Sequence, residues 1–209
     1  MDSSSTPAVT VVGAGNIGTA VARLALESGA AVQVLDRDAA KAAAVSPTAT
    51  AGTIGDLVTG DIVVLALPYD AFDEVLGAYP DGFAGKVVVD PSNPVDFTTL
   101  DVVTPAGSSG AAQLAGRLPA ARVLKAFNTN FAATLVPTAD GAEPTAVLVA
   151  GDDADAKAAL AGLLQGAGLR AVDAGPLKRA HELEALGALQ IGLAVTEQTP
   201  WTGGFALAR

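Results

Sequence analysis

The 209-residue chain has no cysteine, one histidine (His181) and one methionine. Without thiols there is no disulfide, thiolate metal site or cysteine nucleophile, and a single imidazole leaves no zinc constellation to assemble. Aromatic residues make up 4% of the chain and charged residues 16%, with 22 acidic against 12 basic side chains for a net charge of -10. Such a surface repels phosphate backbones, which argues against a nucleic-acid partner. Long apolar runs are missing too. The mean hydropathy of +0.42 comes from alanine spread along the chain, with no stretch of roughly 18 apolar residues free of charge. No basic stretch followed by an apolar one opens the sequence, so no secretory signal is read there. A cytoplasmic protein with no membrane partner is expected.

What is present is apolar material: 50% of residues are hydrophobic, ample for a buried core at a prior of about 150 residues per domain. Short Val/Leu/Ile runs alternate with Ala-rich segments of helical spacing, the pattern of parallel strands covered on both faces by crossover helices. Strands are predicted over Val9–Val12, Val32–Leu35, Ile62–Leu67, Val87–Val89, Val123–Phe127, Ala146–Val149 and Arg170–Val172. Helices are predicted over Ile17–Ser28, Ala39–Val45, Ala71–Leu76, Ala111–Leu118 and Asp155–Ala167. The class is α/β, a Rossmann-type doubly wound and mostly parallel sheet with a small helical C-terminal extension. Residues 1–7, with Ser3, Ser4, Ser5 and Thr6, read as a disordered leader.

Gly13-Ala14-Gly15-Asn16-Ile17-Gly18 follows the first strand directly and opens an Ala/Leu helix. In that context G-x-G-x-x-G is a dinucleotide fingerprint. The first glycine makes the tight turn, the second lets backbone approach a diphosphate, and the third lets helix pack on strand. Residues 8–130 therefore read as an NAD(P)-binding domain, and 131–209 as an extension that continues the sheet and covers the cleft. Asp36 ends the second strand, where a carboxylate accepts bonds from ribose hydroxyls and favours NAD. Arg37 and Lys41 instead suit a 2'-phosphate, with Asp36 swinging aside or pairing with Arg37. The choice between NADP(H) and NAD(H) stays open at this level. Ala66-Leu67-Pro68, Asp90-Pro91-Ser92-Asn93-Pro94 and Phe127-Asn128-Thr129-Asn130 stand at further strand ends, where doubly wound sheets bind ligands.

These residues carry a resemblance. The Gly13–Gly18 loop, Ala66-Leu67-Pro68, Lys125-Ala126-Phe127-Asn128, Gly151-Asp152-Asp153, Asp173-Ala174-Gly175-Pro176-Leu177 and Glu182-Leu183-Glu184 together resemble the F420-dependent NADP oxidoreductase family. The pattern is also similar to the cytosolic reductase domain of six-transmembrane ferric reductases, whose hydride acceptor is a flavin. The resemblance implies NADP(H) in the glycine-rich site, a coenzyme F420 or flavin acceptor and a homodimer. Two departures stand out: Leu35-Asp36 precedes Arg37 where the family has small hydroxyl or glycine residues, and Phe127-Asn128-Thr129-Asn130 lacks the histidine of deazaflavin enzymes.

Hydride transfer between stacked rings needs positioning more than acid or base groups, and the chain offers no Tyr-x-x-x-Lys pair or Ser/His/Asp set. On this reading Phe127, Asn128 and Thr129 shape the second-ring pocket, Gly175 and Pro176 close it, and Leu67 with Pro68 support the nicotinamide. Asn93 joins the cofactor site. Glu184 reads as a helix-surface or interface carboxylate and His181 as a surface residue. The Leu186–Val195 run, with Trp201 and Phe205, is expected in a subunit interface or under the cleft. Two alternatives are a reductase of a small carbonyl or imine with Lys125 as its acid, although a lysine inside a strand reads more readily as snorkelling or pairing with Asp90, and a non-enzymatic dinucleotide sensor. A flavin-sized cavity beside Asn128, a smaller slot, or no cavity would separate the three.

Overall fold

The computed structural model describes residues 6–80, 83–137, 143–205 and 207. The predicted leader lies almost wholly outside them. Eight strands form one sheet in the order β3-β2-β1-β4-β5-β6-β7-β8: β1 (Val9–Val12), β2 (Val32–Asp36), β3 (Thr50–Thr53), β4 (Ile62–Leu65), β5 (Val87–Asp90), β6 (Arg122–Ala126), β7 (Ala146–Gly151) and β8 (Arg170–Gly175). The helices are α1 (Asn16–Glu27), α2 (Ala39–Val45), α3 (Phe72–Gly77), α4 (Gly110–Arg117), α5 (Ala154–Gly166) and α6 (Ala180–Val195). Predicted elements recur with ends shifted by a residue or two, as helix and strand ends commonly do. One difference is larger: β8 continues to Gly175.

The sheet is doubly wound because its central strands are apolar on both faces. Val9, Val11, Ile62, Val64, Val87, Val89, Leu124 and Ala126 point into a core with α1, α2 and α5. Val12, Leu35, Val63, Leu65, Val88 and Val123 point into a second core with α3, α4 and the first residues of α6. Strands β1, β2 and β4 end in register, Val12 opposite both Leu35 and Leu65, so their carboxyl ends open on one crevice. β3, Thr-Ala-Gly-Thr, escaped prediction because an exposed edge strand of small residues carries no apolar signal.

Strand β7 changes the topology. It runs antiparallel to β6, with Ala126 opposite Val149 and Leu124 opposite Gly151, while β8 runs parallel to β7. The chain reverses just past Phe127, which is buried at 1% exposure yet takes φ +67. From the end of β8 a single 3-10 turn, Leu177–Arg179, leads into α6, which packs against α4.

Candidate nucleotide-binding site

The glycine loop sits between the ends of β1 and β4. Gly13 has φ +103, and a Cβ there or at Gly18 would overlap backbone, the Ala66 carbonyl in the first case and the Gly13 carbonyl in the second. Gly15 has nothing within 4 Å of its would-be Cβ. The two outer glycines are therefore required by packing, and the middle one faces open space. Ala66, and through it the Leu67-Pro68 strand end, abuts this loop.

Helix α1 starts at Gly15 with no side-chain cap and no acidic residue in its first turn. By contrast α2, α4 and α5 are capped by Asp38, Ser109 and Asp153. Asn16 and Ile17 thus begin a helix whose amino end is uncompensated, and uncapped N–H groups with a positive dipole end suit a phosphate. The open cradle and free helix end fit a dinucleotide diphosphate.

Asp36 closes the loop from the β2 side. Its Oδ2 accepts from the Ala14 N–H at 2.7 Å and its Oδ1 from the Asp38 N–H at 3.0 Å. The carboxylate neither pairs with Arg37 nor swings away. The Arg37 side chain is 74% exposed and stands 4.0 Å from Glu74; Lys41 is exposed on α2.

Beside the loop lies a cavity of about 760 Å³, lined by Gly15, Asn16, Ile17 and Arg23 on one wall and by Phe131, Leu135 and Trp201 on the other. Phe131 and Trp201 pack with ring centroids 4.8 Å apart. The volume falls within the roughly 300–1,000 Å³ of small-molecule sites. Trp201, expected in a subunit interface or under the cleft, stands on this wall, while no signal in the sequence joins the Phe131–Pro137 segment to the glycine loop.

The expected second-ring pocket is corrected. Phe127, Asn128 and Thr129 are 1%, 5% and 7% exposed. Phe127 belongs to the core under α1 and α5. Asn128 donates to Asn93 Oδ1 at 2.9 Å and to the Leu183 carbonyl at 2.8 Å, while Asn93 donates back to the Asn128 carbonyl at 2.7 Å. Asn93 is thereby committed to joining β5, β6 and α6. A cavity of about 50 Å³ lies beside Thr129, bounded by Leu148, Leu186, Phe205 and Leu207. Gly175 and Pro176 do not meet Asn128. Gly175 pairs beside Ala150, whereas Asn130 reaches Ala146 at the other end of β7. The antiparallel turn of β7 is the reason: the end of β8 points away from the crevice.

Lys125 pairs with Asp90, the alternative to a role as acid, whereas Glu184 is buried where a helix-surface or interface carboxylate is expected. Lys125 Nζ is fully buried and touches Asp90 Oδ2 at 2.9 Å, Glu184 Oε1 at 2.7 Å and the Ser92 carbonyl at 2.6 Å. Glu184, 1% exposed, also accepts from the Gly110 and Ala111 N–H groups at the start of α4. The cluster ties β5, β6, α4 and α6 together, with Lys125, Asp90 and Glu184 all buried. His181 is exposed, its Nδ1 3.0 Å from the Ser108 carbonyl.

Comparison with known proteins agrees with this geometry. Residues 8–94 match the family described as NADP oxidoreductase, coenzyme F420-dependent. The F420-dependent NADP reductase of Methanocaldococcus jannaschii is 30% identical over 69% of this chain and 66% of its own length. A crystal structure from Arthrobacter sp. FB24, proposed to be an F420-dependent NADP-reductase, superposes with a TM-score of 0.84 at 27% identity, covering 97% of this chain and 100% of that one. The chain belongs to the F420-dependent NADP oxidoreductase family. Rat metalloreductase STEAP3 is likewise 30% identical over 86% of this chain, which spans 36% of that longer protein. Among the described residues no helix is long and apolar enough to cross a membrane.

Proposed function

We propose that this family member is a cytoplasmic NAD(P)H-dependent oxidoreductase that passes a hydride between a nicotinamide dinucleotide and a flavin-like or F420 acceptor. The observation that carries the reading is the glycine loop, with packed outer glycines, an open Gly15 and an uncapped helix behind it. Gly13, Gly15, Asn16, Ile17 and Gly18 would hold the diphosphate, Asp36, Arg37 and Lys41 would meet the adenosine ribose, and Ala66, Leu67 and Pro68 would back the nicotinamide half. When bound, the nicotinamide supplies the hydride. The protein's share is to orient and to exclude water, and its buried Lys125 takes no part as an acid. The space of about 50 Å³ beside Thr129 is too small for a flavin ring, so the flavin-like or F420 acceptor rests on the likeness to the family, with the cavity between α1 and the Phe131–Trp201 pair as the place left for it. Exposed Leu189 and Val195 on α6 support a homodimer.

The test is to titrate the purified protein with NADPH and NADH, then to screen flavin mononucleotide, riboflavin and F420 as oxidants of the bound form. Turnover with one of them is expected; binding without turnover in any case would discard the flavin or F420 reading and leave the small-carbonyl or imine reductase and the sensor.

A further inference from the structure

We infer that this chain selects the non-phosphorylated coenzyme, NAD(H), and that Asp36 makes the choice. The inference rests on the dinucleotide half of the reading above and departs from the NADP named in the family description.

The reason is that the Asp36 carboxylate is fixed in place. Both of its oxygens accept main-chain N–H groups, Ala14 at 2.7 Å and Asp38 at 3.0 Å. A carboxylate has about four acceptor positions, so each oxygen keeps capacity for a ribose hydroxyl. At the end of the second strand of a doubly wound sheet, that is where the ribose is read. A hydroxyl donates to this group; a phosphate dianion brings only acceptors and like charge.

Accommodating a 2'-phosphate would require either that Asp36 leave or that cations outweigh it. Leaving would strip the Ala14 N–H of its partner inside the glycine loop itself. The cations available are weakly placed. Arg37 is 74% exposed and faces Glu74. Lys41 is exposed one helical turn into α2. Asp38, capping Ala40 N, adds a further negative charge. Discrimination by a repulsive element beside an attractive one is how such sites separate close analogues.

Trp201, the sole tryptophan, lines the cavity that contains Gly15 and Asn16, so its emission, together with thermal shift, reads binding without turnover. The wild-type Kd for NADH is expected to be at least tenfold below that for NADPH. Asp36→Asn keeps an oxygen for the Ala14 N–H and removes the charge; it should weaken NADH, strengthen NADPH and lower the preference tenfold or more. Asp36→Ala should move the ratio the same way, with ligand-free melting recorded to check the loop. Equal or tighter wild-type binding of NADPH overturns the inference but spares the oxidoreductase reading. A parallel change for both coenzymes in Asp36→Asn overturns it as well, reducing Asp36 to a brace. Binding of neither coenzyme overturns the inference and the oxidoreductase reading together.

Discussion

Lys125, inside a central strand, and Glu184, on the helix that covers it, meet at 2.7 Å with neither side chain reaching solvent. Asp90 completes the cluster from the adjacent strand. Removing one partner of a buried ionic group leaves an uncompensated charge, at a cost of about 3–5 kcal/mol. Lys125→Met is expected to lose stability on that scale in urea unfolding, because two carboxylates are left facing each other. Adding Glu184→Gln should recover part of the loss, and strictly additive losses would show that the three groups do not act as a unit.

The glycine loop makes a contrast between neighbouring positions. Gly18→Ala puts a methyl group into the Gly13 carbonyl, overpacking that costs roughly 1–3 kcal/mol, and should lower both melting temperature and coenzyme affinity. Gly15→Ala meets nothing within 4 Å and sits at φ -75. It should melt close to wild type and still lose affinity for the coenzyme, since its methyl occupies the approach of the diphosphate. Calorimetric melting with parallel titration separates the two behaviours; normal affinity in Gly15→Ala would place the diphosphate elsewhere.

Asn93 and Asn128 exchange two hydrogen bonds across β5 and β6. Either alanine variant leaves buried partners unsatisfied, each at about 1–3 kcal/mol. A double-mutant cycle is expected to show a coupling energy of about 0.5–3 kcal/mol. Coupling near zero would mean the pair contributes no joint bracing at the mouth of the crevice.

The Tyr79 hydroxyl accepts the Gly55 N–H at 2.6 Å. Burial, the leading influence, and the Asp56 carboxylate raise the phenol above its ordinary 10.0, against the Gly55 amide, which favours the phenolate. With the folded value raised, the contribution to stability is complete below pH 10 and is lost as pH climbs through the folded value. In a Tyr69→Phe background, which leaves Tyr79 as the remaining tyrosine, tyrosinate absorbance should rise later than in free tyrosine. A midpoint at the free-tyrosine value would contradict the buried setting.

The sequence was most legible where a residue's role is local. The Gly13–Gly18 loop, the apolar strands from Val9 and Ile62 and the Ala-rich helices all declare themselves by spacing, and the structure has them in those roles. What spacing does not carry is direction. Nothing in Ala146–Val149 says that it runs against β6, so Gly175 and Pro176 were assigned to the wrong end of the sheet. Burial of charge was equally hidden. Glu184 on an apolar helix looks like a surface residue until Lys125 and the amino end of α4 are folded beneath it. The meeting of Phe131 with Trp201 depends on contacts distant in sequence and left no local trace.

Phe127 sets two demands that no natural side chain meets together. Its backbone at φ +67 suits glycine or asparagine, and such a left-handed residue costs of order 1–3 kcal/mol. Its ring fills the interior, where truncating phenylalanine to alanine costs about 3–5 kcal/mol. The larger figure wins, so the ring's packing outweighs the torsional cost at this position. A saturation library at this position should therefore return few survivors, all of them bulky, because β6, where the parallel run ends, is anchored at its carboxyl end by a ring held at a standing conformational cost.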